Sequence, residues 1–285
     1  MSNVDVSALA PFGAEIACDA RDSSTWDELR AQLREHGLIV LHNQELEMQQ
    51  QIDLLAHFGP VLHTWSGIGY VSNNAAKGTL GNYELAFHSD YQCTDSPYQG
   101  ISLHAVEVED GRTSTRYAST TRALRLMPPE FRSRIGDLRV VNLYPIGVDA
   151  LAGPTRPTTE GYPAGAPRAI HGVVETDPIT KQDAAFVNSM MTAEVVGLPA
   201  EESNALLDEI EGYLYDPSNV YEHWWHNGDL VVWANNAIHH MRSGANLGSP
   251  RTLQRVCLSD KDDAYYDDSW DLNSPANRKR ADLSK

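Results

Sequence analysis

The sequence predicts a mainly β protein, a sandwich or barrel with α-helices packed outside it. Two observations lead to this prediction. Helical patterns fill much of the first sixty residues and short strand patterns dominate from about residue 100, with few of the βαβ alternations that a doubly wound sheet would need. The 285 residues, 41% of them hydrophobic, allow one sizeable core, and no linker divides them. We therefore expect a single domain over residues 1–285.

Two helices and a strand are predicted before residue 60. Thr25 and Glu28 have the spacing of a capping box, and the apolar residues after them share one helical face up to Gly37, where a helix can end. The segment LIVLHN (38–43) is typical of a buried strand. MQQQIDLLAHFG (48–59) shows helical spacing again and stops at a Gly-Pro pair.

Five strands are predicted later in the chain, with helices between them. The strand-like segments are GISLHAVEV, STRYAS, LRVVNLY, GDLVVWAN and TLQRVCLS. Helical patterns fall near residues 120–135 and 199–214. Residues 147–167 are rich in Gly and Pro and form a possible lid or insertion loop, and residues 261–285 form a polar C-terminal tail.

Charge and cysteine content exclude several classes of function. A net charge of −17 argues against nucleic acid or an anionic membrane as a partner. Three widely separated cysteines provide neither a disulfide framework nor a CxxC motif. Because we find neither a long apolar run nor a signal-peptide pattern, we expect a cytoplasmic protein that acts on a small molecule. A homo-oligomer is possible.

The stretch AFHSDYQCTDSP (86–97) places His88 and Asp90 two positions apart. On a strand these side chains would point to the same face and could meet one ion, although a surface pair has the same spacing. His239 and His240, directly after the buried-looking strand GDLVVW, offer a third ligand. Two imidazoles and one carboxylate form the facial triad that holds iron(II) and leaves coordination positions open. The lack of cysteine among these residues disfavours a closed structural zinc site.

Arg251 and Arg255 lie four residues apart on the last predicted strand and therefore on the same face. A buried arginine is costly unless a carboxylate meets it, and its planar fork suits a carboxylate well. The carboxylate can belong to a ligand, or to an Asp or Glu of this acidic chain. The residues alone leave both alternatives open.

Together these motifs resemble the iron(II)- and 2-oxoglutarate-dependent dioxygenases of the taurine dioxygenase type (TauD/TfdA). The resemblance rests on FHSD, GRTSTRYAS, GDLVVWANNAIHH and the closing Arg-x-x-x-Arg, and it covers most of the chain. The family fold is a double-stranded β-helix, a cupin-like jelly roll with helices outside. This fold agrees with the pattern of strands and helices.

The resemblance implies a role for several residues. The implied iron ligands are His88, Asp90 and His240. Thr115 and Arg251 resemble the pair that binds the distal carboxylate of 2-oxoglutarate. Arg255 resembles an arginine that faces the anionic head group of the substrate, or that helps to hold the co-substrate. Ala234 and Asn236 depart from the family motif, which has Asp and Arg there, so the polarity around the metal can differ.

The implied reaction is oxidation, by default hydroxylation, of an unactivated C–H bond with O2 and 2-oxoglutarate, releasing succinate and CO2. Desaturation, epoxidation and ring closure are alternatives on the same scaffold. Halogenation is disfavoured because Asp90 fills the position that a halide would need. The alternatives outside this class are a zinc hydrolase with the same ligands and a jelly-roll protein that binds metal without turnover.

The substrate-pocket candidates are His63, Glu84 and Tyr91, which lie close in sequence to pocket positions of relatives. If Arg255 faces the substrate, a small molecule with a carboxylate or sulfonate is expected. Glu84 would suit an amine, so an amino acid derivative is one candidate. Each of the three also has an ordinary structural explanation, as a core or surface side chain.

Overall fold

The computed structural model describes residues 4–63, 67–74, 76–146, 155–242 and 248–261. The helices in these ranges are α1 Trp26–His36, α2 Met48–Phe58, α3 Thr120–Leu126, α4 Pro129–Ile135 and α5 Ala200–Leu214. The strands are β1 Asp5–Ala8, β2 Ala14–Ala17, β3 Leu38–Leu41, β4 Ile68–Ser72, β5 Thr79–Leu80, β6 Leu85–His88, β7 Gly100–Val108, β8 Ser114–Ser119, β9 Arg139–Leu143, β10 Arg168–Gly172, β11 Val174–Thr176, β12 Asp183–Ala185, β13 Thr192–Val195, β14 Val220–Trp224, β15 Leu230–Ala234, β16 Ile238–Arg242 and β17 Arg251–Leu258.

Two sheets carry the architecture. The larger has the order β1-β2-β3-β15-β7-β17-β4-β5, and the smaller has the order β14-β8-β16-β6. Neighbouring strands are antiparallel except β2 with β3 and β4 with β5. Strands β10, β9 and β13 form a third sheet, and β11 pairs with β12. The fold is a double-stranded β-helix with flanking helices, which confirms the predicted fold class.

The alternation of side chains along each strand divides the apolar residues between two cores. On β15, Val231 and Trp233 belong to the inner core between the two sheets, whereas Leu230 and Val232 belong to the outer core under the helices. The inner core also includes Tyr117 of β8, on the opposite sheet. Side chains of both sheets therefore meet in one interior, and the candidate site opens within it.

Helices α1 and α2 cover the outer face of the larger sheet. Leu29 and Leu33 of α1 and Leu55 of α2 are completely buried there. Helix α1 ends at Gly37 with φ +73°, a left-handed conformation that glycine adopts without strain. The predicted boundaries of this layer agree with the structure to within one or two residues.

One local prediction is wrong. The capping box at Thr25 and Glu28 does not form, because a short 3-10 turn over Ser23–Thr25 precedes α1 and Asp22 caps that turn by accepting a bond from Ser24 N. The helical stretches predicted near residues 120–135 are present as the two helices α3 and α4. Pro128 lies between them and Pro129 begins α4, and the helix breaks there since proline lacks an N–H and forces the residue before it out of the helical region.

The segment predicted as a lid is described only in part. Residues 147–154 and the tail from residue 262 lie outside the described residues. Arg156, in the described part, forms ion pairs of 2.9 Å with Asp208 and Glu211 of α5. The lid therefore stays a prediction. Among the helices that the structure describes, none is long and apolar enough to cross a membrane.

Candidate metal and co-substrate site

Three predicted ligands converge at the inner face of the smaller sheet. Strands β16 and β6 are neighbours, and their pairing sets His240 directly opposite His88. Asp90 Oδ1 lies 3.2 Å from His88 Nε2 and 3.7 Å from His240 Nε2. One ligand atom from each residue lies within 4.8 Å of the others. Small movements of these side chains would bring all three atoms into contact with a single ion.

The sequence placed Asp90 on a strand together with His88. In the structure, Asp90 instead reaches this cluster from a turn. Strand β6 ends at His88, and Tyr91 has φ +58°, a left-handed conformation that costs a tyrosine about 1–3 kcal/mol. The amide and hydroxyl of Thr94 both donate to Tyr91 O and close the turn. The carboxylate thus curls back toward His88 through a strained turn that its surroundings must hold.

Asn235 holds this turn in place. Its Oδ1 accepts a bond of 3.0 Å from Asp90 N, and its Nδ2 donates to Asp90 O at 3.0 Å and to Tyr98 O at 2.9 Å. The side chain is completely buried and follows directly after β15. The amide therefore fixes the backbone of the carboxylate ligand on both sides. The sequence prediction missed this role.

We expect Asn235→Ala to weaken metal binding by about tenfold to a hundredfold, because the turn that carries Asp90 loses its support. Asn227→Ala is the matched control, since Asn227 bonds to the N and O of Val108 in the same manner, away from the cluster. Calorimetric titration of both variants with Mn(II) measures the difference. Equal metal affinity in the two variants would contradict this role.

The protonation states of the cluster suit a divalent cation. His88 Nδ1 lies 2.7 Å from Ala86 O, and since a carbonyl only accepts, the ring donates there and presents Nε2 to Asp90 and to the position of a metal ion. Burial, and then the charge of His88, lower the pKa of His240 to about 3, so its ring is neutral. Burial raises the pKa of Asp90, but the bond with His88 and nearby positive charge outweigh it and keep the carboxyl ionised. Metal ligands must be deprotonated in this way.

A cavity leads from the cluster to a buried arginine. Its apolar walls include Ile101, Leu103 and Trp233, and its polar end contains Thr115 and Arg251. Arg251 is 3% exposed, and its Nη2 donates to Thr115 Oγ1 at 3.1 Å, while its Nε and Nη1 have no hydrogen-bond partner in the described structure. Unmet donors of a buried guanidinium suit a carboxylate.

Thr115 can donate a hydrogen bond to the carboxylate that would bind Arg251. Its Oγ1 accepts bonds from Arg251 Nη2 at 3.1 Å and from Trp225 Nε1 at 3.0 Å. With both lone pairs occupied, the hydroxyl proton is the part that can bond to a ligand. The sequence analysis predicted Thr115 and Arg251, but not the supporting indole of Trp225.

A second cavity adjoins the cluster. It is lined by Leu85, His88, Asp90, Tyr91, Cys93, Tyr144, Pro145, Met190, Met191 and Arg255. Arg255 also lines the first cavity, so it stands where the two meet. Of the substrate-pocket candidates, Tyr91 lies in this wall, whereas His63 and Glu84 are exposed and line neither cavity.

Tyr215 supports the neighbours of both histidine ligands. Its ring stacks on Phe87 with centroids 4.5 Å apart and planes at 6°, and its hydroxyl lies 3.1 Å from His239 Nδ1. Phe87 precedes His88 on β6, and His239 precedes His240 on β16. One side chain from the end of α5 thus contacts both strands that carry the histidines.

Comparison with known proteins agrees with this geometry. A family model described as "Taurine catabolism dioxygenase TauD, TfdA family" matches residues 5–257. The chain belongs to the TauD/TfdA family. This TauD/TfdA member is 24% identical to the alpha-ketoglutarate-dependent 2,4-dichlorophenoxyacetate dioxygenase of Cupriavidus pinatubonensis, over 85% of this chain and 91% of that protein. It is 23% identical to the (S)-phenoxypropionate/alpha-ketoglutarate-dioxygenase of Sphingobium herbicidovorans, over 87% of this chain and 92% of that protein.

A solved structure shares the fold of this TauD/TfdA protein. The crystal structure of AAD-2 in complex with Mn(II) and N-oxalylglycine has a TM-score of 0.75 and 22% identity, and the match covers 90% of this chain and 97% of that chain. The family and its relatives confirm the enzyme class and the cofactors expected from the sequence. The protein is a 2-oxoglutarate-dependent dioxygenase that uses O2 and a divalent metal, iron(II) in this family.

Proposed function

We propose that this TauD/TfdA enzyme hydroxylates an unactivated C–H bond of a small molecule with an apolar body and a carboxylate or sulfonate group. The second cavity carries the proposal. Tyr91, Tyr144, Met190 and Met191 line it, and Arg255 is the cation that lines both this cavity and the first one. An apolar wall with one cation suits an amphiphilic anion.

Different residues would bind the metal, the co-substrate and the substrate in this reaction. When bound, iron(II) and 2-oxoglutarate would supply the oxidising chemistry with O2, and 2-oxoglutarate would be released as succinate and CO2. His88, Asp90 and His240 would hold the metal, and Thr115 with Arg251 would hold the distal carboxylate of the co-substrate. Arg255 has neither of these roles and would orient the substrate. Flexible thioethers such as Met190 and Met191 fit the apolar body and exclude water.

Two relatives support an aromatic carboxylate as the first candidate. Their names give 2,4-dichlorophenoxyacetate and (S)-phenoxypropionate as substrates, and both molecules join an aromatic ring to a short carboxylate. A substrate amine gains less support, because Glu84 is exposed and lies outside both described cavity walls. Amino acid derivatives therefore rank second.

Other outcomes at the same site remain alternatives. Desaturation, epoxidation and ring closure differ in which substrate bond lies nearest the metal, and product analysis distinguishes them. A zinc hydrolase would need a general base beside the metal-bound water. Apart from the three ligands, the described walls of the two cavities contain arginines, two tyrosines and a cysteine but no further carboxylate or histidine. A single domain and a cytoplasmic location remain part of the proposal.

The test is a panel of small acids given to the iron-loaded enzyme with 2-oxoglutarate. We expect aryloxy- and arylalkyl-carboxylates to stimulate O2 consumption, while the matching primary amides do not. By mass spectrometry an arylalkyl-carboxylate should gain one oxygen atom, and an aryloxy-carboxylate hydroxylated next to its ether oxygen should appear as the phenol and a 2-oxo acid, because the hemiacetal formed there breaks down. Arg255→Gln should raise KM for the active acid by at least about tenfold, since a charged hydrogen bond is lost. Arg122→Gln, at an arginine that bonds to Ser218 O and lies outside both cavities, is the control. Equal turnover of acids and amides would contradict the proposal.

A further inference from the structure

We propose that Arg242 is a second binding residue for the distal carboxylate of 2-oxoglutarate, so that two buried arginines select the co-substrate. This inference rests on the 2-oxoglutarate dependence of the enzyme and on the assignment of Arg251 to that carboxylate. It adds a residue that the sequence motifs did not single out. The only sequence signal is its position two residues after His240, on the same face of a strand.

The register of the smaller sheet brings Arg242 to the co-substrate end of the cavity. In the pairing of β16 with β8, His240 lies opposite Tyr117 and Met241 lies opposite Arg116. Thr115 is next to Arg116 on β8, and on its other side β16 pairs Arg242 with Leu85 of β6 after a register shift, so Arg242 lies near Thr115 at this end of the sheet. Arg242 is 5% exposed and lines the same cavity as Thr115 and Arg251.

Among the described residues, no carboxylate balances the positive charges at this end of the cavity. Arg242 Nη1 donates to Gly81 O at 2.7 Å, a neutral partner. Two causes lower the pKa of Arg251 to about 9. The larger is burial, and the next is repulsion by the positive charge of Arg242. Asp90, at the metal end, is the one carboxylate among the described residues that line the cavity. Two buried guanidinium groups are costly without an anion, and the distal carboxylate of 2-oxoglutarate supplies one.

The distribution of arginines between the cavities assigns Arg242 to the co-substrate and not to the substrate. Arg255 lines both cavities, whereas Arg242 and Arg251 line only the first of these two described cavities. A substrate in the apolar second cavity would meet Arg255 before it could reach Arg242. The pair formed by Arg242 and Arg251 therefore faces the end of the co-substrate that points away from the metal.

The experiment compares two ligands in Mn(II)-loaded protein by calorimetry. 2-Oxoglutarate has the distal carboxylate, and 2-oxobutyrate has the same metal-binding 2-oxo acid but lacks that carboxylate. We expect Arg242→Met to weaken 2-oxoglutarate binding by about tenfold to a hundredfold and to leave 2-oxobutyrate binding unchanged. Arg242→Lys, which keeps the charge, should recover part of the loss. Arg251→Met should show the same selectivity.

Two results would overturn the proposal. If Arg242→Met weakens both ligands equally, Arg242 only supports the loop at Gly81. If neither affinity changes, Arg242 does not contact the co-substrate. Failure of the unmodified protein to bind 2-oxoglutarate is a different result, because it would refute the co-substrate assignment itself. The Arg242→Lys variant keeps the test decisive if Arg242→Met does not fold.

Discussion

Asp90→Ala is expected to abolish succinate release and to weaken Fe(II) binding by more than about a hundredfold, a larger loss than a supporting residue produces. The variant removes the only anionic ligand of the cluster. The imidazoles of His88 and His240 would then face the metal alone, beside the positive charge of Arg255. Metal titration and succinate release measured on the same samples test this expectation.

The matched control for this variant is Asp95→Ala. Asp95 is exposed and follows Asp90 in the same loop, but it lies outside the metal cluster. Its removal should change neither metal affinity nor succinate release. If Asp90→Ala kept the metal affinity of the control, the three-ligand site would be wrong.

Arg251→Met should raise the Kd for 2-oxoglutarate by about a hundredfold or more, because truncation of one partner of a buried charge pair costs about 2–5 kcal/mol. The metal-free variant should be at least as stable as the unmodified protein. Two guanidinium donors have no partner in the described structure, and replacing an uncompensated buried charge with an apolar side chain of similar volume is often neutral or stabilising. Calorimetry and thermal unfolding measure the two quantities.

Arg156→Met is the control for Arg251→Met, because it should change protein stability and not the affinity for 2-oxoglutarate. Arg156 is also largely buried, but Asp208 and Glu211 of the protein itself meet its charge. Its removal should lower the free energy of unfolding and leave the Kd for 2-oxoglutarate unchanged. A loss of stability without a loss of co-substrate affinity in Arg251→Met would make Arg251 a structural arginine.

The features that could be predicted from the sequence depend on local spacing. Strand alternation predicted that Arg251 and Arg255 share a face, and both line the first cavity. Residue chemistry suggested that His88 and Asp90 share a site with His239 or His240, the family resemblance selected His240, and His88, Asp90 and His240 lie together. The fold class, the enzyme class and the cofactors were predicted correctly, because the motifs are specific in combination.

The features that were missed depend on contacts between distant parts of the chain. Asn235 holds Asp90 across 145 residues of sequence, and Trp225 supports Thr115 across 110 residues. The left-handed Tyr91 turned a predicted strand into a turn. A spacing rule within one segment contains no information about such partners, since they meet only when distant strands pair in one sheet, as β14 and β8 do, or when the two sheets face each other.

The most direct test of the account is an anaerobic titration of metal-free protein with Fe(II) and then with 2-oxoglutarate. We predict that a weak visible charge-transfer band of the chelated complex appears in the unmodified protein and requires a higher co-substrate concentration in Arg251→Ala. Absence of the band, together with tight zinc binding at the same three residues, would contradict the account and favour a hydrolase.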